Sequence, residues 1–182
     1  MRLIALILLA LLVSGCASLN CQRTSEKVWS IEEVVGEVGI GNYEGLSTWL
    51  KENFNYCKDK KEADEWRNVS EALLDGFGDC EEYAQISLAC LRLMGLEDIY
   101  LMGVTPKRRN YGHVVTIFRE TKDSDWLYFD FEKLRKGPRS FKKLPRHIGR
   151  YSRYGRSVKY RLADKDLKAI QPEDEHLYGL YN

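Results

Sequence analysis

The chain has 182 residues, with 28 Lys and Arg against 27 Asp and Glu and a formal net charge of +1. That is one domain's worth of sequence, long enough to bury about 70% of its unfolded surface, so neither a structural metal nor a disulfide staple is required to hold it. The net charge singles out no partner class, but its distribution is uneven: positions 133–161 carry many Lys and Arg and no Asp or Glu, whereas 26–82 are rich in acids.

Met1-Arg2 is followed by an apolar run over residues 3–13 and then by Ser14-Gly15-Cys16. The run is shorter than the roughly 20 residues a membrane-spanning helix needs, and it fits a secretory h-region ending at small residues. Leu12-Val13-Ser14-Gly15-Cys16 resembles the lipobox of bacterial lipoproteins. The resemblance implies removal of residues 1–15, lipidation of Cys16, and a lipidated tether over 16–27 that holds the folded part to a membrane outside the cytoplasm. Ala17 after the lipid-bearing position implies the outer membrane in a Gram-negative envelope. Two acyl signals anchor stably where one is marginal.

Four cysteines remain, Cys21, Cys57, Cys80 and Cys90, an even number for an oxidising compartment. Cys80 and Cys90 cannot pair on one helix, because ten residues rise about 15 Å and a disulfide needs Cα atoms within about 7 Å. A Cys21–Cys57 pair stays open, and Cys90 reads as a buried small hydrophobe.

Along the rest of the chain, residues 28–40 are apolar without a firm period and read as weakly helical at their centre. A helix starts at Asn42 or Ser47 and puts Leu46, Trp49, Leu50 and Phe54 on one face up to about Tyr56. A charged loop covers 58–65. Trp66 follows, and then a short helix over 70–74 with Ser70 as a possible N-cap. Residues 99–104 form a strand ended by Thr105-Pro106, and 112–118 form the strongest strand, β-branched through its middle. A polar turn over 121–125 joins it to an antiparallel partner at 126–130. Helices precede strands, which predicts an α+β fold with an antiparallel sheet packed on the helix that follows position 80.

That helix begins in Gly76-Phe77-Gly78-Asp79-Cys80-Glu81-Glu82-Tyr83-Ala84, a glycine-flexed turn that delivers a cysteine to a helix N-terminus. Ala84, Leu88, Leu91 and Met94 continue its stripe, and Gly95 can cap its end. The positive end of the helix favours a thiolate by about one pKa unit, too little to ionise the thiol at neutral pH. An imidazolium about 4 Å away contributes several times more. Three histidines are available: His113, His147 and His176. His113 opens one strand of the hairpin and Asp130 closes the other, so the two lie at one edge of the sheet, where a carboxylate can orient an imidazole. Taken singly, Cys80 reads as structural, His113 as a satisfied strand histidine and Asp130 as a turn former. Glu81 and Glu82 read as first-turn acids that favour the helix dipole.

Together, Gly78-Asp79-Cys80-Glu81-Glu82-Tyr83-Ala84, Gly112-His113-Val114-Val115 and Tyr128-Phe129-Asp130 resemble, in order, the transglutaminase-like superfamily of papain-related thiol enzymes, and more narrowly the bacterial transglutaminase-like cysteine proteinases. Trp66 stands where that bacterial family commonly has a Trp, with Leu73 and Gly76 between. The similarity covers residues 42–134, within a domain placed at 28–162 and followed by a tail over 163–182. It implies a papain-like core in which Cys80 is the nucleophile, His113 the general base and then acid, and Asp130 the residue that orients His113. Trp66 reads either as a core residue or, from its place beside the cysteine turn, as part of the substrate cleft or the oxyanion site. Two positions depart from the family pattern: Val69 replaces a frequent Pro, and Phe131 replaces the Asn that often follows the third triad member.

The activity so implied is a membrane-anchored cysteine hydrolase or acyltransferase acting on an amide or peptide bond through a thioester. A non-catalytic envelope binding module that keeps the fold is the alternative, and a redox-sensing thiol is disfavoured because no resolving cysteine lies nearby in sequence. The expected substrate is a peptide or protein, with cell-wall stem peptide among the options. No close-spaced ligand pair exists and His147 and His176 lie in unrelated contexts, so no metal site or organic cofactor is implied. Arg, Lys and Tyr interleave over 146–161, a composition that would suggest nucleic acid in a cytoplasmic protein. In an exported, lipid-anchored domain it fits anionic phospholipid or a solvated basic face better, so no nucleic acid is expected.

Overall fold

The computed structural model describes residues 21, 23, 25–58, 66–108, 111–153, 155, 158–164 and 167–170. The signal region, Cys16, most of the charged loop after Lys58, and His176 lie outside the described residues. Among those described, no helix is long and apolar enough to cross a membrane.

Helix α1 (Ile31–Val38) is better defined than its sequence suggests, because Ser30 and Glu33 form a complete capping box ahead of it. Helix α2 (Tyr43–Asn53) starts from Asn42, whose side chain accepts from the Gly45 N–H. Ser47 is not the cap; it lies within α2 and donates to the Glu132 carbonyl at 2.6 Å. The helix ends before Asn55, where a two-residue strand β1 (Asn55–Tyr56) begins. Helix α3 (Val69–Asp75) is one residue longer at each end than expected. Its cap is Asn68, in a capping box with Glu71, and Ser70 lies inside the helix. Gly76 closes α3 at φ 72, in the left-handed region where a side chain is strained. The chain then forms β2 (Phe77–Gly78), which pairs in parallel with β1, and enters α4 (Cys80–Leu93).

Six strands follow: β3 (Ile99–Pro106), β4 (His113–Phe118), β5 (Leu127–Asp130), β6 (Lys133–Lys136), β7 (Val158–Ala163) and β8 (Ala169–Ile170). They form one sheet in the order β6-β5-β4-β3-β7-β8, antiparallel throughout. The fold is thus the α+β arrangement expected, with β4 and β3 at the centre of the sheet and the hairpin of β4 and β5 running toward the β6 edge. A 3-10 turn (Phe141–Lys143) and α5 (Leu144–Tyr151) interrupt the strands. Strands β7 and β8 carry the sheet to Ile170, beyond the end that the sequence reading gives the domain.

Two cores lie on the two faces of the sheet. On one, α1, α2 and α4 pack with Leu101, Phe118 and Phe129. On the other, Phe141, Leu144 and Ile148 of the basic segment cover Met102, Val104, Val115, Ile117, Trp126 and Tyr128. The alternation of strand side chains sends successive residues to opposite cores. Helix α5 buries Leu144, Pro145, Ile148 and Gly149 and leaves Arg146 and Arg150 in solvent, so the basic segment is an amphipathic cover for the second face.

Candidate active site

Cys80 is the first residue of α4, held there by an interlocked cap. Asp79 accepts from the Glu81 N–H at 3.0 Å, and Glu82 reaches back to accept from the Asp79 N–H at 2.8 Å. Glu82 is wholly buried, and its carboxylate lies 3.5 Å from Arg67. Gly78 is required beneath it, since a Cβ there would come within 2.6 Å of the Glu82 Cβ. Of the two first-turn acids, Glu82 holds this turn together, whereas Glu81 lines the cavity beside the thiol.

His113 and Asp130 meet as the hairpin geometry predicts. His113 Nε2 and Asp130 Oδ1 are 2.8 Å apart, and both residues are buried. A carboxylate on Nε2 accepts its proton, which leaves Nδ1 as the basic nitrogen of the neutral ring. Arg135 Nε donates to the other oxygen, Asp130 Oδ2, at 2.9 Å. Burial by itself would raise the Asp130 carboxyl. The hydrogen bond and charge of His113, with the charge of Arg135, outweigh it and hold the group below its ordinary 3.8.

Cys80 and His113 line one cavity of about 620 Å³, together with Trp66, Tyr111 and residues of β3 and β7. The backbone N–H groups of Val114 and of Cys80 itself favour the ionised sulfur. They do not prevail: burial, with the carboxylates of Asp79 and Glu81, pushes the thiol up to about 12. The helix N-terminus alone was not expected to ionise this thiol, and burial with two flanking carboxylates works further against the thiolate. Desolvation and two flanking negative charges exceed the helix dipole, whose effect is about one pKa unit. Cys90 is buried and inert as expected, and burial pushes it up to about 12 as well.

Trp66 is half exposed at the cavity rim. Its neighbour Arg67 fixes that segment, through Asp75 at 2.8 Å and the Phe77 carbonyl at 3.1 Å. Cys21 and Cys57 form the disulfide that the sequence left open, with Cα atoms 5.5 Å apart. His147 is not brought to this site; it lies on α5 against Tyr128 and Tyr151. Among the described residues no group of three or more His, Cys, Asp or Glu could hold a metal ion.

Two neighbours of the site were missed as participants. Arg135 is one, and its only trace in sequence is that it belongs to a basic run. Phe131 is the other: its ring lies 4.8 Å from the His113 ring, tilted by 38°, with Tyr56 and Tyr83 packed edge-on against it. Its backbone is left-handed at φ 56. Its signal was the departure from the family pattern at this position.

No curated protein matches the sequence. Among solved structures, calcium-bound Legionella pneumophila LapG aligns with 27% identity and a TM-score of 0.45, over 52% of this chain and 56% of that one. EGTA-treated LapG aligns with 27% identity and a TM-score of 0.44, over 52% and 54%. A further Legionella pneumophila LapG structure aligns with 20% identity and a TM-score of 0.48, over 86% and 77%. The chain thus covers little more than half of the first two LapG chains. The sequence profile of the transglutaminase-like superfamily matches residues 41–131, half of the chain, with Cys80, His113 and Asp130 all inside it. The chain belongs to the transglutaminase-like superfamily.

Proposed function

We propose that the protein is a cysteine hydrolase or acyltransferase that acts on an amide or peptide bond, with Cys80, His113 and Asp130 as its triad. The observation that carries this reading is the buried 2.8 Å contact of His113 and Asp130 beside a cavity that also holds the Cys80 thiol. With Asp130 on Nε2, His113 Nδ1 takes the thiol proton as sulfur attacks the carbonyl carbon. The carbon–nitrogen bond breaks as His113 returns that proton to the amine. Water or a second amine then attacks the thioester, giving up a proton to His113, and releases the thiol. The lipobox resemblance of residues 12–16 supports anchoring to an envelope membrane through Cys16, with a peptide, a protein or a cell-wall peptide as substrate.

Partial burial and the flanking carboxylates of Asp79 and Glu81 favour the neutral thiol at rest. The nucleophile is then generated by proton transfer to His113 and not stored as thiolate. The same surroundings favour a second reading, a binding module whose cysteine is silent. Alkylation of Cys80 by iodoacetamide as a function of pH separates the two, in the wild type and in His113→Ala. The catalytic reading expects alkylation at neutral pH to drop about a hundredfold without His113, the usual size of a general-base contribution. Equal, slow rates in both proteins would establish the binding module.

A further inference from the structure

The cavity does not end at the thiol. Its lining passes from His113 and Val114 on β4 to Gly103 on β3, Arg161 on β7 and Ala169 on β8. Val114 pairs with Gly103, and Gly103 pairs with Arg161, so these three residues form one row across the sheet. Val114 offers its N–H to Cys80. Neighbouring strands are about 4.8 Å apart, which puts the Arg161 backbone about 10 Å along the row from Val114, the residue whose N–H meets the sulfur. Gly103 stands between them, and a Cβ there would have nothing within 4 Å, so the path is open. Tyr160 and Leu162 turn into the second core, so Arg161 points to the cavity side. The guanidinium is exposed, and it forms no ion pair among the described residues. The cleft carries charges of both signs: Asp79 and Glu81 flank the thiol, Lys58 also lines the cavity, and Arg161 stands across the sheet on β7.

We infer that Arg161 is a specificity-determining residue, which binds a carboxylate of an extended peptide about three residues from the bond that Cys80 attacks. The inference rests on the catalytic reading above. The distance follows from the row, since an extended chain advances about 3.3 Å per residue and about 10 Å separates Arg161 from Val114 beside the thiol. The planar, permanently charged guanidinium suits a carboxylate in bidentate geometry. The carboxylate is that of an Asp or Glu side chain or of the peptide's own C-terminus. Gly103 leaves room for the intervening residues to lie against the sheet.

The test is cleavage of a peptide library of mixed sequence by the purified domain, with the sites read by mass spectrometry. Asp or Glu should be enriched about tenfold at one fixed position near three residues from the cut, the lower end of the range for hydrogen bonds to charged groups. Cuts at a fixed distance from the peptide end would identify the terminal carboxylate instead. Arg161→Ala should abolish the preference and Arg161→Glu should turn it toward Lys and Arg. Lys142→Ala, on the other face of the sheet, should keep it, and added salt should weaken it. A preference that survives Arg161→Ala, or cleavage without any acidic preference, overturns the inference and leaves the catalytic reading standing. Cys80 that is alkylated in a His113-dependent way but cleaves no peptide also counts against it. Absence of both cleavage and His113-dependent alkylation overturns the catalytic reading, and the inference with it.

Discussion

Phe131 stands where backbone preference and site geometry conflict. An aromatic residue at φ 56 bears strain of about 1–3 kcal/mol, and it is retained because the turn after Asp130 lays the ring on His113 and against Tyr56 and Tyr83. Phe131→Gly removes both the strain and the packing, so the melting temperature should change little. The His113-dependent alkylation of Cys80 should fall about tenfold as the imidazole loses its fixed plane. A rate equal to wild type would show that the ring is only packing. Asp130 gives a pH signature. Its carboxyl is held below 3.8, so the stability it contributes is full above that pH and is lost as pH falls through the lower folded value. Asp130→Asn should remove that acid component. It should also cost about 3–5 kcal/mol at neutral pH in urea titrations, since the buried His113 and Arg135 contacts lose their anion. At the other end, Cys80 and Cys90 are raised from 9.0 to about 12. Between those values the unfolded chain ionises first, so stability should decline as pH rises through that window.

At the scale of elements, the entry to α4 is one interlocked unit. Glu82 caps its own helix, accepts from Arg67, and lies over Gly78, so the cysteine turn and the segment bearing Trp66 are fixed by one buried carboxylate. Glu82→Ala should cost about 1–3 kcal/mol, because the Asp79 N–H loses the buried carboxylate it donates to, while Arg67 keeps its Asp75 partner. Glu82→Gln should cost less, since the amide oxygen can still accept from that N–H. Chemical denaturation of both variants measures the difference. The basic segment is an element whose polar half conceals its role. Its composition points to a polyanion, but Phe141, Leu144 and Ile148 make it the cover of the second face of the sheet, with its charges outward.

At the scale of the molecule, the Cys21–Cys57 disulfide ties the N-terminal segment to β1, and β1 pairs with β2 immediately before Cys80. Arg23, two residues on, packs over the Gly76 turn and donates to the Leu73 carbonyl. The bridge spans 36 residues of sequence, and a loop of that size stabilises by about 3–4 kcal/mol in the chain-entropy account. Replacing both cysteines by Ala should therefore lower the melting temperature by on the order of 10 °C. Unchanged melting would mean that the N-terminal segment is held by Arg23 and its neighbours without the bridge.

The hairpin of β4 and β5, α4 and the meeting of His113 with Asp130 were legible in the sequence because each rests on local chemistry. Strand alternation, a polar turn and a helix start fix where side chains go within a few residues. Helix boundaries were less legible at Asn68, since Asn68 and Ser70 are both capable caps and only the full capping box with Glu71 decides between them. What sequence could not decide depends on distant segments converging. The thiol at Cys80 is pushed up chiefly by partial burial among elements distant in sequence, which no local pattern reports. Likewise β7, remote in sequence, enters the sheet beside β3 and brings Arg161 into one row with Gly103 and Val114. Local sequence was enough to bring a cysteine to a helix start and His113 beside Asp130, whereas only the packed chain sets what surrounds them, because burial and strand order are properties of the whole fold.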